Sequence, residues 1–451
     1  MMQFHSLARL GLFIILFPII AQADDPTESN TASDANAIHA HNDLYSRPYL
    51  LGDWGGYRDE LVQRGITFNL GYTSEVAHNA TGGTQHDTRY TDQYALSVLF
   101  DLNQLLGWHG SSFQITYTER NGRNLSQDAD LETIQQVQEL YGRGQTLRLT
   151  QFWLNQDFFK GLLQWKIGRL TVGEDFADFS CDFQNLTFCG SQPGNIVGNY
   201  WFNWPISQWG TVIKANTSAD TYLKLGVYQV NPTYASDQYA VSDGWKPDNP
   251  DGTQGVLIPL EFGWLPQLNQ RNGSYKLGIW YDSAGGMDLL LNQQGQSLGV
   301  FGGTPLERDK RYGAYINFEQ QVTGQSGKQG ASIFLNMTMA DQETAANNRQ
   351  ITLGTEYKAP FNRADDLIGL AIGTTHVNAR ETAYQQQYNL TNPNNSVVIN
   401  DQDEYVSELF YSWSPIHSMT FRPNLQFVVH SGGNSDNKDV FVLGLKTIIA
   451  L

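Results

Sequence analysis

From Ile66 onward the apolar residues fall on every second position. Ile66, Phe68, Leu70 and Tyr72 alternate with Thr67, Asn69, Gly71 and Thr73, the period of an extended strand with one greasy and one wet face. The pattern returns in Tyr94, Leu96, Val98 and Phe100, in Leu223, Leu225 and Val227, and in Tyr275, Leu277, Ile279 and Tyr281. Later, Tyr312, Ala314, Ile316 and Phe318 oppose Arg311, Gly313, Tyr315 and Asn317, and Phe421, Leu425, Phe427 and Val429 oppose Arg422, Asn424, Gln426 and Val428. Marking every such segment predicts about sixteen strands, near 65–75, 91–102, 111–120, 146–158, 162–171, 209–216, 221–230, 256–266, 274–283, 310–320, 331–340, 350–358, 367–378, 404–413, 419–430 and 438–451.

The predicted connectors sort by length. Those after odd strands average about 21 residues and those after even strands about 6. Such alternation belongs to a transmembrane antiparallel β-barrel, whose short periplasmic turns alternate with longer outside loops because every backbone group must be paired within the bilayer. An even strand count returns both ends of the chain to the periplasm. Aromatic residues near strand ends, Tyr72, Phe158, Trp165, Trp280, Tyr281, Tyr411 and Trp413 among them, are expected in the interfacial girdles. A secreted sugar-binding β-protein is the competing reading, but its inward parity should be apolar throughout, and here it is not.

Ahead of the strands the pattern differs. Arg9, the apolar run Leu10–Ile20 and the box Ala21-Gln22-Ala23 form a secretory signal over 1–23. Residues 24–50 are polar and aperiodic and are expected to be a flexible segment, with His39 and His41 solvated rather than metal-binding. Residues 51–64 carry Tyr57, Leu61 and Val62 at helical spacing before Gly65, predicting a short helix that plugs or caps the barrel, and 65–451 form the barrel itself.

Composition narrows the function. The 451 residues are only 16% charged, with a net charge of −17 that becomes −18 once Arg9 leaves with the signal. Nucleic acid is a poor partner for that surface. No GxSxG, HExxH or phosphate-loop motif occurs. The neighbours Glu174 and Asp175 could serve a glycosidase only if they stood across a bond, about 5–9 Å apart, and adjacency does not place them so. No enzyme, metal site or cofactor is expected. Cys181 and Cys189 follow an export signal, so a disulfide between them is permitted; unpaired cysteines are the alternative.

The order of local motifs, LLGDWGGYRDELVQRGI, LQWKIGRLTVGEDFADFSCDFQNLTFCGSQPG, WPISQWG and LGVYQVNP, resembles the OprB family of carbohydrate-selective outer-membrane porins from about Leu51 to the C-terminus. Barrels of this kind commonly finish on an aromatic residue that the assembly machinery reads; Leu451 stands there instead, although Phe441, Leu443, Leu445 and Ile449 keep an apolar face. The resemblance implies passive diffusion of small sugars, glucose foremost, through an outer-membrane pore without energy coupling. The partners it implies are small carbohydrates, outer-membrane lipids and the assembly machinery, with further copies of the chain left open.

The longest connector, Val172–Gln208, follows the fifth strand and is expected to fold inward and set the pore width. It carries Glu174, Asp175 and Asp178, both cysteines, and Trp201, Asn203 and Trp204. A pyranose stacks its apolar face on an indole and shares hydroxyl hydrogen bonds with carboxylates, guanidinium groups and amides. Arg120, Arg148, Arg169 and Arg422 are the basic lumen candidates, with Asn424 and Gln426 on the same parity as Arg422, since charge is costly toward lipid. Arginines opposite acids would set a transverse field. Leu131, Ile134, Val137, Leu140 and Tyr141 predict a short amphipathic helix in the loop 121–145. The surplus of acid also allows a general or cation-preferring porin.

Overall fold

The computed structural model describes residues 43–451; the signal segment, the start of the polar segment and the pair His39 and His41 lie outside the described residues. Sixteen antiparallel strands form one closed sheet: β1 Ile66–Thr81, β2 Thr88–Asp101, β3 Ser111–Gly122, β4 Leu147–Phe158, β5 Leu163–Leu170, β6 Gln208–Asn216, β7 Thr221–Val230, β8 Gly255–Trp264, β9 Arg271–Asp282, β10 Arg311–Gln321, β11 Gly330–Ala340, β12 Asn347–Lys358, β13 Leu367–Val377, β14 Asp403–Ile416, β15 Met419–Val429 and β16 Val440–Ala450. Each pairs with its neighbours in sequence, and β1 closes the barrel on β16 from Gly71 opposite Ala450 to Thr81 opposite Phe441. All sixteen predicted strands are present.

Burial is inverted relative to a water-soluble protein. Leu96, Leu225, Leu277 and Ile279 are exposed on the outside, whereas Asn336, Gln350, Arg422 and Lys446 are buried inside. Lipid solvates the outer parity and the inner parity pairs its polar groups within the protein.

Two expectations about the wall change. The connector after β1 is not long: β1 continues through His78 and Asn79 to Thr81 and β2 begins at Thr88, with His78 Nδ1 2.9 Å from Thr88 Oγ1. Alternation reports only the lipid-facing part of a strand, and polar residues carry the ladder beyond it. Trp280 does not join an interfacial girdle, because its neighbours Ile279 and Tyr281 face outward and it points in, packed on Trp201 with ring centroids 5.3 Å apart.

The predicted helix in the loop after β3 is also absent. Only Leu125–Asp128 is helical, and the following chain is irregular, with Asp130, Glu132 and Arg143 at positive φ. That chain lies inside the barrel, where wall carboxylates take the place of a helix's own carbonyls. The Ile134 amide donates to Glu404 Oε2 at 2.8 Å and that of Leu140 to Glu75 Oε2 at 3.3 Å. Leu131, Val137 and Leu140 are buried as an amphipathic face would be, without the helix.

The N-terminal helix, Tyr57–Gln63, sits at the short-turn rim beside the closing seam. The Leu50 amide donates to Ala450 O at 2.7 Å, Arg58 Nη2 to Leu451 O at 3.0 Å, and the Asp101 amide to Gly65 O at 2.8 Å. The segment therefore caps the rim rather than plugging the lumen. On the opposite end, the hairpin Gly286–Asn292 with Pro305–Arg308 and the helix Ala379–Thr391 are joined through Asp288, which accepts from both Arg308 and Arg380.

Candidate functional site

The connector between β5 and β6, residues 171–207, turns into the barrel and is held there by inward side chains of the far wall. Glu408 accepts from the amides of Gln184 and Asn185 at 2.8 Å each. Asn185 Nδ2 donates to Gln426 Oε1 at 2.9 Å, Asn424 Nδ2 to Gln184 Oε1 at 2.8 Å, and Lys446 Nζ to the carbonyl of Cys181 at 2.9 Å. Arg422 pairs with Asp182 at 3.2 Å. The loop after β3 packs against the same segment, with Glu139 N donating to Gln184 O at 3.0 Å and Leu186 N to Gln136 O at 2.9 Å. Backbone that has left the sheet can be buried only where such partners meet it. Cys181 and Cys189 are bonded to each other at the inner tip of this loop.

Two adjoining chambers lie beside this loop, with a third, about 120 Å³, between Asp178 and Glu319. The larger, about 660 Å³, opens toward the short turns and is bounded by Gln114, Gln151, Trp153, Asn155, Gln164, Lys166, Lys214, Tyr222, Lys224 and Lys276 from the wall and by Glu174, Asp175 and Asp178 from the loop. The smaller, about 250 Å³, lies among Arg120, Glu139, Asn203, Trp204 and the disulfide. Glu174 and Asp178 border both, so the two chambers adjoin at a neck edged by these carboxylates.

Charge is arranged across this neck. Lys276 meets Asp178 at 2.5 Å, Lys166 pairs with Asp175, and Lys224 with Glu261 at 3.3 Å. Burial works against ionisation of Asp178, but Lys276 and Lys224 outweigh it and hold the carboxyl below its ordinary range. Glu174 lacks so close a cation. Enclosure raises its pKa to about 7, with Lys166 only partly opposing, and Gln151 Nε2 donates to it at 2.9 Å.

Other candidates reach the chambers differently, or not at all. Arg120 and Trp204 share one anchor, Gln93 Oε1, at 2.8 and 2.9 Å, and present a guanidinium and an indole to the smaller chamber. Asn203 donates to Ser191 O at 2.8 Å, and a Cβ at Gly173 or Gly194 would stand 2.2 Å from its Oδ1, so both close approaches require glycine. Trp201 is fully buried between Trp280 and Tyr315, its indole N–H on Ser191 Oγ at 3.0 Å, and offers no face to a solute. Arg148 donates to Tyr234 O at 2.9 Å, and Arg169 donates to Ser207 O at 3.0 Å with its guanidinium 4.3 Å over the Tyr234 ring. Both clamp long loops, whose carbonyls replace the water a guanidinium would otherwise keep, and neither lines a chamber. Arg422, Asn424 and Gln426 likewise stand behind the folded loop, not in front of it.

Four lysines of the larger chamber were not among the sequence candidates. Their signal was present: Lys224 lies between Leu223 and Leu225, and Lys276 between Tyr275 and Leu277, each on the polar parity.

The family model for carbohydrate-selective porins of the OprB family matches residues 85–451. Porin B of Pseudomonas aeruginosa is 42% identical over 414 residues, covering 88% of this chain and 90% of the relative. The high-pH structure of Pseudomonas putida OprB superposes with a TM-score of 0.85 at 36% identity, covering 90% of this chain and 98% of that one. The low-pH structure of the same protein gives 0.57 at 28% identity, with 90% and 99% covered.

Proposed function

Because this chain belongs to the OprB family of carbohydrate-selective porins, and is therefore a sugar-selective channel of the outer membrane, we propose that its preferred cargo is a glucose-type monosaccharide, moving down its own gradient with no covalent chemistry. The observation that carries this reading is the neck at Glu174 and Asp178. There an acidic loop edge faces wall lysines, and the smaller chamber beyond adds Arg120 and Trp204. A neutral polyhydroxylated ring can exchange hydrogen bonds with both signs of charge at once and lay its apolar face on the indole. A simple ion is attracted by one wall and repelled by the other. On the same reading Glu174, Asp175, Asp178, Arg120, Asn203 and Trp204 meet the sugar, and Arg148, Arg169, Arg422, Asn424, Gln426 and Trp201 hold the loops that shape its path. Residues 1–23 are removed on export, 24–50 are a polar N-terminal segment of the mature chain, 51–64 cap the rim and 65–451 form the channel in contact with outer-membrane lipid.

Planar-bilayer conductance of the refolded protein, titrated with glucose, a disaccharide and a neutral polyol, tests the proposal. Discrete channels blocked by glucose at millimolar concentration, and less by the disaccharide, are expected. Channels indifferent to sugar but selective for cations would favour the second reading, a general or cation-preferring pore, for which the net charge of −17, which becomes −18 once Arg9 is removed, is the supporting observation.

A further inference from the structure

One of the four lysines lining the larger chamber forms no ion pair among the described residues. Of its four lysines, Lys166, Lys224 and Lys276 each meet a carboxylate. Lys214 on β6 meets none among the described residues; its ammonium lies only over the face of Tyr222, 4.6 Å from the ring centroid. It stands directly opposite Lys224 in the β6–β7 register. Like charges placed opposite one another weaken a sheet, and an anion seated at Lys214 would relieve that repulsion.

A second, independent feature lies beside it. Gln164 on β5 is the register partner of Lys214 on its other side and borders the same chamber. Its side chain is 3% exposed, yet neither Nε2 nor Oε1 has a hydrogen-bond partner among the described residues. Asn155 Oδ1, in the same wall, is also buried and unpartnered. Buried amides without partners are costly; Gln164, beside Lys214, offers one donor and one acceptor, and Asn155, beside Lys166 in the same chamber wall, one further acceptor.

We propose that Lys214 and Gln164 form a subsite on the short-turn side of the neck that takes the carboxylate of a sugar acid, such as a hexuronate, with the sugar hydroxyls on the Gln164 and Asn155 amides. One unmatched ammonium suits a monoanion. A dianionic phosphate ester would bring a second charge toward Asp175 and Asp178 without a cation to meet it. The channel on this account serves neutral sugars and their singly charged acids, and the acid pauses after the neck, on the periplasmic side. The proposal deepens the sugar-channel reading and rests on it.

Glucuronate and glucose share one ring and differ at C6, so they isolate the carboxylate. Bilayer block by the two sugars at fixed ionic strength is compared for the unaltered protein, Lys214→Gln and Lys214→Arg. Glucuronate is expected to block at about five- to tenfold lower concentration than glucose, the weight of one charge-assisted contact, and more strongly when added from the periplasmic side. The glucose-to-glucuronate ratio should fall toward one in Lys214→Gln and stay within about twofold of the original in Lys214→Arg, which keeps the charge. Retention of the heat-modifiable folded band identifies variants that have assembled. Block by glucose with no preference for glucuronate would overturn the anion subsite while leaving the sugar channel standing. A preference that survives Lys214→Gln would overturn the assignment to Lys214, and indifference to both sugars would overturn both readings.

Discussion

Arg422 on β15 and Asp182 on the folded-in loop meet at 3.2 Å although 240 positions separate them. The guanidinium is almost wholly buried and lies 4.9 Å over the ring of Phe410, so the pair ties the tip of the loop to the far wall. Leaving a buried charge without its partner costs on the order of 3 kcal/mol.

Arg422→Ala should therefore act first on the loop. Lower stability by about 3 kcal/mol in denaturant unfolding, a larger single-channel conductance and a stronger preference for cations, from the uncompensated Asp182, are expected together. If conductance and selectivity both stay as they were, the loop does not depend on this pair.

Charge at the neck should change near neutrality. Enclosure holds the pKa of Glu174 at about 7, so the group is neutral well below that pH and negative well above it. The cation-to-anion permeability ratio, read from reversal potentials, should fall as pH drops from about 8 to about 6. In Glu174→Gln the ratio should sit at the low-pH value throughout. A flat profile for the unaltered protein would remove Glu174 from the conducting path.

The bond between Cys181 and Cys189 closes a loop across a separation of eight residues. Closing so short a loop is worth roughly 2–3 kcal/mol by the chain-entropy argument. The same segment is also held by Glu408, Gln426, Asn424 and Lys446. Replacing both cysteines by serine should thus raise open-channel current noise more than mean conductance. An increase in mean conductance as large as that of Arg422→Ala would show that the disulfide, not the wall contacts, sets the width.

Arg58 is placed to seal the barrel and not to meet solute. It is buried at the rim, stacked 3.5 Å from the Tyr49 ring centroid, and donates to Leu451 O. Arg58→Ala should lower the temperature at which the folded band disappears on a gel, in keeping with a loss of about 2 kcal/mol from one hydrogen bond and two cation–π contacts, over Tyr49 and Trp54, while sugar block is unchanged. Altered block would mean that the cap reaches the lumen after all.

The strands were legible because their cause is local. Leu223, Lys224 and Leu225 declare by parity alone which faces lipid and which faces inward, since two different solvents act on the two sides of one strand. The same parity marks Lys166, Lys214, Lys224 and Lys276 as inward side chains alongside the arginines. Parity also separates Trp280 from Tyr281, although the girdle expectation took both together.

What a side chain meets once it points inward is not local. The spacing of Leu131, Val137 and Leu140 suits a helix, but Glu75 and Glu404 on distant strands satisfy the backbone of an irregular chain there instead. Trp201 and Trp204 lie three positions apart, yet one is sealed behind Trp280 and the other borders a chamber. Alternation by itself determined the barrel, its strand count and the inward set of polar residues. Only the closing of β1 on β16, which brings the far wall opposite the folded loop, decided which of those residues hold the loop and which are left facing open space.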